Sequence, residues 1–410
     1  MKSFFSTLLL WCFVFAATAQ TVLYSTGDST GCPYRIPAIA KAANGDLIAF
    51  SDWRPCGRDI GFGKVDILAR VSSDNGETWN APQKILEGTG EGITAGYGDA
   101  CVVADRHRNE LLLVCVSGNV VYFQSSPQNR PRIVSLHARY NRKTREWEWD
   151  KQVTDHTCHI YDDLLHGTVH GLFMGSGRIC QSRKVKVGDY YRLYGALCTR
   201  KGNFVVFSDD FGRNWDLLGN YQMSCAPQGD EPKCEELPDG SVLLSSRKEG
   251  GRYFNVFRYF DVKNARGMWG QPIDSRMVEG GIRNESTPCN GEILLVKARR
   301  VSDGKTTTLA LQSLPAGPRR SNVTIYYKEL SKPETYATPI AFAADWTGSY
   351  QVSHRLSAYS TMIQQEDRRI AFYYEEEPHE YQMVYKSLSL EEITHGTYEA
   401  HKPVFPFSAD

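Results

Sequence analysis

The 410-residue chain has no excess of either charge: 47 Lys and Arg stand against 47 Asp and Glu. Domains that hold nucleic acid by bulk charge are visibly basic, so the balance argues against such a partner, and charge chemistry here must be local. Past the first twenty residues no apolar run approaches the length needed to cross a bilayer, so no membrane span is expected. Long helical periodicity is missing, which argues against a helical bundle. No low-complexity linker or break in composition divides the chain, which favours one domain over two. Eleven cysteines are present, yet none forms a CxxC pair and no zinc-ligand spacing occurs.

The N-terminus has its own pattern. Met1-Lys2 is a short positive region, Leu8 to Phe15 an apolar stretch, and Ala17-Thr18-Ala19 a small-x-small cleavage signal before Gln20. This predicts a secretory signal peptide over residues 1–19, a single domain over 20–410 and an exported protein, periplasmic or secreted. Export permits disulfides. Cys101, Cys115 and Cys198 lie in apolar strand-like runs, where a thiol acts as a small hydrophobe. The favoured pairs are Cys158 with Cys180 and Cys225 with Cys234, although spacing alone does not fix connectivity.

What the chain does have is aromatic residues, glycine and proline: 22 Tyr, 35 Gly and 18 Pro. That composition suits short strands joined by tight turns. Strand-length apolar runs such as Leu111–Val116, Val242–Ser246 and Ile370–Tyr374 are flanked by Gly, Asp or Asn, and Asn44-Gly45 and Asp239-Gly240 are hairpin signals. The octapeptides Ser72–Trp79 and Ser208–Trp215 share the pattern S-x-D-x-G-x-(T/N)-W. In such a turn Asp accepts backbone N–H groups, Gly supplies the positive φ and Trp packs over the bend. Repeated strand–turn units of this kind predict an all-β fold, a β-propeller.

Several charged groups sit where apolar ones would fold more easily. Arg35 opens the segment Cys32-Pro33-Tyr34-Arg35-Ile36-Pro37, and alone it reads as a surface cation at a strand start. The Gly- and Pro-rich loop Ser51–Gly61 carries Arg54, Arg58 and Asp59, with Asp59 about two dozen residues after Arg35. Arg-Ile-Pro, that loop aspartate and the repeated Asp boxes together resemble the bacterial exo-α-sialidases (neuraminidases) of glycoside hydrolase family 33. The resemblance runs the length of the mature chain. Asp230-Glu231-Pro232, Leu237-Pro238-Asp239-Gly240-Ser241 and Ser246-Arg247 are similar to the family's glutamate and second-arginine segment. Arg319-Arg320-Ser321-Asn322-Val323-Thr324 looks like the third-arginine segment, with Arg320 the better fit. Ala358-Tyr359-Ser360 and Tyr374-Glu375 resemble its catalytic tyrosine and following glutamate, and Tyr97-Gly98-Asp99 a sugar-pocket strand.

The resemblance implies a six-bladed propeller with Asp-box turns, and the site Asp59, Glu231 and Tyr359 as catalytic groups. It implies Arg35, Arg54, Asp99, Arg247 and Arg320 as substrate contacts and Glu375 as a support that orients Arg35. The chemistry is coherent. Three arginines have a natural joint purpose in gripping a carboxylate, at roughly 1.5–3 kcal/mol for each charge-assisted bond, and sialic acid bears its carboxylate on the reacting carbon. Sialidases are the glycosidases with a tyrosine nucleophile. A neutral Tyr359 avoids the repulsion an anionic nucleophile would meet there, and Glu231 takes its proton. Free tyrosine and glutamate differ by nearly six pKa units, about 10 against about 4.3. Full transfer in advance would cost about 8 kcal/mol, so transfer concerted with attack is expected. Asp59, as general acid and then base, predicts an optimum of roughly pH 5–6.5.

The implied activity is hydrolysis of terminal α-linked sialic acids from glycoproteins, glycolipids and oligosaccharides, with retention through a tyrosyl-sialyl intermediate. Sialylated glycans are the partners, and neither a cofactor nor a metal is called for. Transfer to an acceptor, an intramolecular product and a silent sialoglycan-binding propeller are the alternatives. Trp53 reads equally as pocket wall or packing. His156, His159, His166 and His170 fall outside the family pattern and read as loop and strand residues, ahead of a metal site. Asn284 and Asn322 fit the glycosylation pattern. A glycan on Asn322 would crowd Arg320, which favours a bacterial source.

Overall fold

The computed structural model describes residues 20–378 and 380–401. The expected signal peptide lies outside the described residues, as do positions 402–410.

The described strands form six sheets that follow one another around a common axis as a six-bladed β-propeller. From the axis outward, blade 1 runs Tyr34–Lys41, Leu47–Trp53, Asp66–Ser72 and Gln83–Leu86. Blade 2 begins Tyr97–Ala104, Glu110–Ser117 and Arg132–Asn141. Blade 3 begins Cys180–Val187, Tyr190–Thr199 and Gly202–Ser208. Blade 4 begins Pro232–Glu236, Val242–Lys248 and Gly251–Asp261. Blade 5 begins Ile293–Arg300, Thr306–Pro315 and Val323–Glu329. Blade 6 runs Ser357–Gln364, Ile370–Glu376 and Gln382–Leu388, and its outermost strand is Thr21–Ser25 from the other end of the chain.

The unbroken apolar runs follow from this packing. In Glu110–Ser117, Leu111, Leu113 and Cys115 face the blade 1 side, while Leu112, Val114 and Val116 face blade 3. Successive strand residues point to opposite faces, and each inner blade has a neighbour on both faces, so both sets must be apolar. The core is accordingly a ring of six wedges between neighbouring blades.

Antiparallel pairing puts the start of a first strand, the end of a second and the loop into the third at one end of a blade. Turns from third to fourth strands lie at the other end. Both S-x-D-x-G turns are there. Asp74 accepts from Thr78 N at 2.9 Å and Asp210 from Asn214 N at 2.9 Å, while Ser72 and Ser208 Oγ each accept from the turn glycine N at 2.8 Å. These turns also fasten blades together. Trp79 packs edge-on against Tyr385 of blade 6, and Trp215 is buried in the wedge between blades 2 and 3.

Two expectations change. All ten cysteines of the described residues are free thiols, so neither expected disulfide forms. Cys158 is exposed while Cys180 is buried. Cys225 and Cys234 lie in one apolar wedge with Cys180 and act there as small hydrophobes. The histidine-rich segment is partly helical: a π-type turn over His159–Leu164 drives Ile160 and Tyr161 into the core. Tyr161 donates to Pro131 O and accepts from Leu172 N. His156 bonds Ser135 Oγ and His159 bonds Trp215 O, so both are structural.

Gly212 has φ +81°, and a Cβ there would lie 2.3 Å from Cδ2 of the buried Leu112. Gly212→Ala combines a left-handed penalty of about 1–2 kcal/mol with overpacking of similar size. The expected loss is about 2–4 kcal/mol, seen as a lower urea midpoint at unchanged m-value.

Candidate active site

Three innermost strands lose register near their starts: between Arg35 and Ala38, between Gly98 and Cys101, and between Ser357 and Ser360. Such bulges re-aim side chains, and these bring Arg35, Asp99 and Tyr359 to one mouth of the axis. Ile36 sits at φ 60° and Asp99 at φ 55°. For a β-branched residue that conformation is strained and persists only when its surroundings impose it.

The imposing group is Glu375, whose side chain is 0% exposed. Its carboxylate accepts from Arg35 Nε at 2.8 Å and Nη2 at 3.2 Å, from Ile36 N at 2.8 Å and from Tyr359 N at 3.2 Å. One buried anion thus orients the guanidinium, holds the strained backbone and fixes the Tyr359 main chain. Burial works against the charge on Arg35, and the Glu375 carboxylate more than offsets it, leaving its pKa raised.

Tyr359 donates to Glu231 Oε1 at 2.6 Å, and Arg247 Nη1 donates to Glu231 Oε2 at 2.8 Å and to Tyr359 Oη at 3.4 Å. Tyr359 and Glu231 are each 7% exposed. The guanidinium carbons of Arg35 and Arg320 lie 5.6 and 5.5 Å from the Tyr359 ring centre, so three cations surround one phenol. Burial, then the Glu231 carboxylate, hold the Tyr359 pKa well above the ordinary value, while Arg247 and Arg320 pull it down. The phenol is therefore neutral at rest, already bonded to an acceptor and ringed by groups that favour its anion. Arg319, at φ 58°, is exposed, whereas Arg320 lines the cavity and donates to Pro288 O at 3.1 Å.

The acid side is built on Arg54, which is held by buried Asp52 at 2.9 Å and by Asp59 at 3.1 Å. The Asp59 side chain is 65% exposed and faces the opening. Asp52 also accepts from Asp99 N at 3.1 Å. Burial, only partly offset by Arg54, raises the Asp52 pKa to about 6. Burial and the charges of Asp59 and Asp52 raise that of Asp99 well above the carboxylate range.

One cavity of about 410 Å³ gathers Arg35, Arg54, Asp59, Asp99, Glu231, Arg247, Arg320 and Tyr359, with Glu375 directly behind Arg35. No family model matches the chain. In sequence it is 25% identical over 336 residues to a sialidase of Paraclostridium sordellii, an alignment covering 76% of each chain. It is 32% identical over 221 residues to a sialidase of Micromonospora viridifaciens, covering 52% of this chain and 32% of that one. The chain resembles bacterial sialidases. It spans about a third of the length of the Micromonospora sialidase. The fold is shared with the Hadza microbial sialidase Hz136 at a TM-score of 0.69 and 19% identity, over 91% of this chain and 69% of that one.

Beside the sialidase-like set stand groups that the sequence reading missed. Asp52 lies two residues before Arg54, and the alternation of strand side chains was the available signal. Asp230 reaches Arg247 Nε at 3.3 Å, and Tyr381 lies 4.9 Å from the Arg35 guanidinium. Phe62, Tyr122, Phe123 and Phe173 add an aromatic flank to the cavity, which no motif marks. Trp53 is packing: it joins the wedge between blades 6 and 1, where Lys84 covers its ring.

Two outcomes follow from these pairings. Glu375→Ala leaves Arg35 and two backbone N–H groups without their acceptor. It is expected to destabilise by about 3–5 kcal/mol in urea unfolding, as for other broken buried ion pairs. The raised pKa of Asp52 has the opposite sign to a salt-bridged carboxylate. Unfolded aspartate titrates near 3.9, so the folded chain binds the extra proton between about pH 4 and 6. The stability this group contributes is present below that window and lost as pH rises through it. Asp52→Asn is expected to flatten the stability curve there, as read from urea midpoints across the window.

Proposed function

We propose that this protein is an exo-α-sialidase that releases terminal α-linked sialic acids from glycans with net retention, and that it acts after export from the cell. The observation that carries the reading is the 2.6 Å bond from Tyr359 to Glu231 within a ring of three arginines in one cavity. Arg35, Arg247 and Arg320 grip the substrate carboxylate and so fix the anomeric carbon over Tyr359. As the phenol attacks, its proton passes along the existing hydrogen bond to Glu231, and the arginines stabilise the oxygen as charge grows. Asp59, exposed at the opening, protonates the departing glycan oxygen. It then takes a proton from the water that cleaves the tyrosyl-sialyl bond, which regenerates Tyr359 as Glu231 returns its proton. Arg54 and Asp99 face the far side of the sugar ring, toward its 4-hydroxyl.

The test is release of a fluorogenic aglycone from an aryl α-sialoside. Wild-type protein is expected to turn over best at roughly pH 5–6.5. Tyr359→Phe and Arg35→Ala are expected to be severely impaired, and Asp59→Asn slowed by about 10²–10⁴-fold on a glycan leaving group that needs protonation. NMR of the first-formed product should show the α-anomer of free sialic acid. A sialylated acceptor or an internal anhydro sugar would assign the chain to the transfer alternatives instead, and maximal activity above pH 8 would contradict the role of Asp59. Binding of free sialic acid without turnover would leave only the binding propeller.

A further inference from the structure

A second cavity, of about 630 Å³, lies at the opposite mouth of the axis. It is walled by the far ends of the innermost strands, including Lys41 of blade 1, Ala104 of blade 2, Glu236 of blade 4, Lys297 of blade 5 and Gln364 of blade 6. Seven of its lining residues are cationic and one, Glu236, is acidic, in a chain whose formal net charge is zero. Three of the seven have anionic partners. Lys41 pairs with Glu366, and Arg178 and Arg183 share Glu235. The other four, Arg106, Lys184, Lys297 and Arg368, have no carboxylate within ion-pair distance among the described residues.

Glu236 and Asp105 keep their charge and act on Arg106, but neither pairs with any of the four, because each is turned toward other donors. Glu236 accepts from Ser182 Oγ and from Arg183 N, and Asp105 accepts from His107 N, Arg108 N and Gln181 Nε2. Arg106 spends its guanidinium on two carbonyls, Gln181 O and Ser182 O, which fix its position without neutralising it. At the floor, the Arg178 side chain is 8% exposed and its Nε has no acceptor. The four unpaired cations come from blades 2, 3, 5 and 6, so they surround the opening and do not cluster on one wall. A concave surface with an excess of one sign of charge focuses its field on whatever enters, and the volume suits a small ligand.

We infer that this basic bowl is a binding site for a compact polyanion bearing at least two phosphate or sulfate groups. A single carboxylate would satisfy only one side of it, whereas linked oxyanions reach cations on several blades at once. The site lies away from the sialoside cavity and shares no lining residue with it.

The experiment is calorimetric titration of the full chain with inorganic pyrophosphate and, separately, sucrose octasulfate, at fixed ionic strength. At least one probe is expected to bind saturably at one site, to raise the thermal midpoint and to weaken steeply with added salt. Lys184→Glu with Arg368→Glu, both exposed positions, should weaken it by at least about tenfold and leave sialoside turnover unchanged. Arg142→Glu with Lys143→Glu, equal in charge and exposed on the outer hairpin of blade 2, should leave it within about twofold. Binding of pyrophosphate alone assigns a phosphorylated ligand, and binding of the octasulfate alone a sulfated sugar. Binding of neither probe overturns the inference, and so does equal weakening by both variant pairs.

Discussion

The candidate-site end of this protein depends on the buried carboxylate of Glu375. It belongs to the second strand of the last blade, yet it holds Arg35 of the first blade, 340 residues away. Its remaining capacity goes to the backbones of Ile36 and Tyr359. A carboxylate without exposure to water is stable only when its lone pairs are used, and here all its partners are site elements. The interaction that makes the charge tolerable is therefore also the one that imposes the positive φ of Ile36 and aims Arg35. Geometry at Tyr359 and closure between the first and last blades are one constraint seen from two sides.

Topology explains why so few residues suffice. Each blade presents three backbone positions at the same end, so six blades offer a dense ring of possible functional groups. Bulges in blades 1, 2 and 6 turn three of those positions inward, and loops after second strands supply Arg54, Asp59 and Arg320. The opposite end carries the Ser-Asp-Gly turns, which bind neighbouring blades together. Stiffness and chemistry are thus assigned to different ends of the same strands.

Much of this was legible in the sequence, and the failures have a common cause. The octapeptide turns and short strands pointed to a propeller, while the number of blades came only from family resemblance. Arg35, Glu231, Arg247, Arg320 and Tyr359 each sit in a local motif that reads without coordinates, and all of them line one cavity. Asp52 was in plain view beside Arg54. Its burial comes from the Gly98–Asp99 bulge of the next blade, and nothing local signals that. Cys225 and Cys234 were expected to pair, but apolar packing in one wedge is what places them. The π-turn at His159–Leu164 is six residues long, too short for periodicity to show. What the sequence hid was in each case a contact between blades.

The strand Thr21–Ser25 pairs with Gln382–Leu388, so the outer edge of the last blade is supplied by a distant part of the chain. Thr21 stands opposite Tyr385, so the two partners come from the two ends of the described residues. Without that strand the sixth blade would have three strands and a free edge, and the wedge between blades 6 and 1 would lose Leu23 and Tyr24. Pairing across so large a separation must be reached through loop closure before it is rewarded. Such a pairing clasps the last blade to the start of the described residues and helps to close the ring. The junction between the last blade and the first also holds Glu375 against Arg35, so whatever loosens that clasp loosens the candidate site with it.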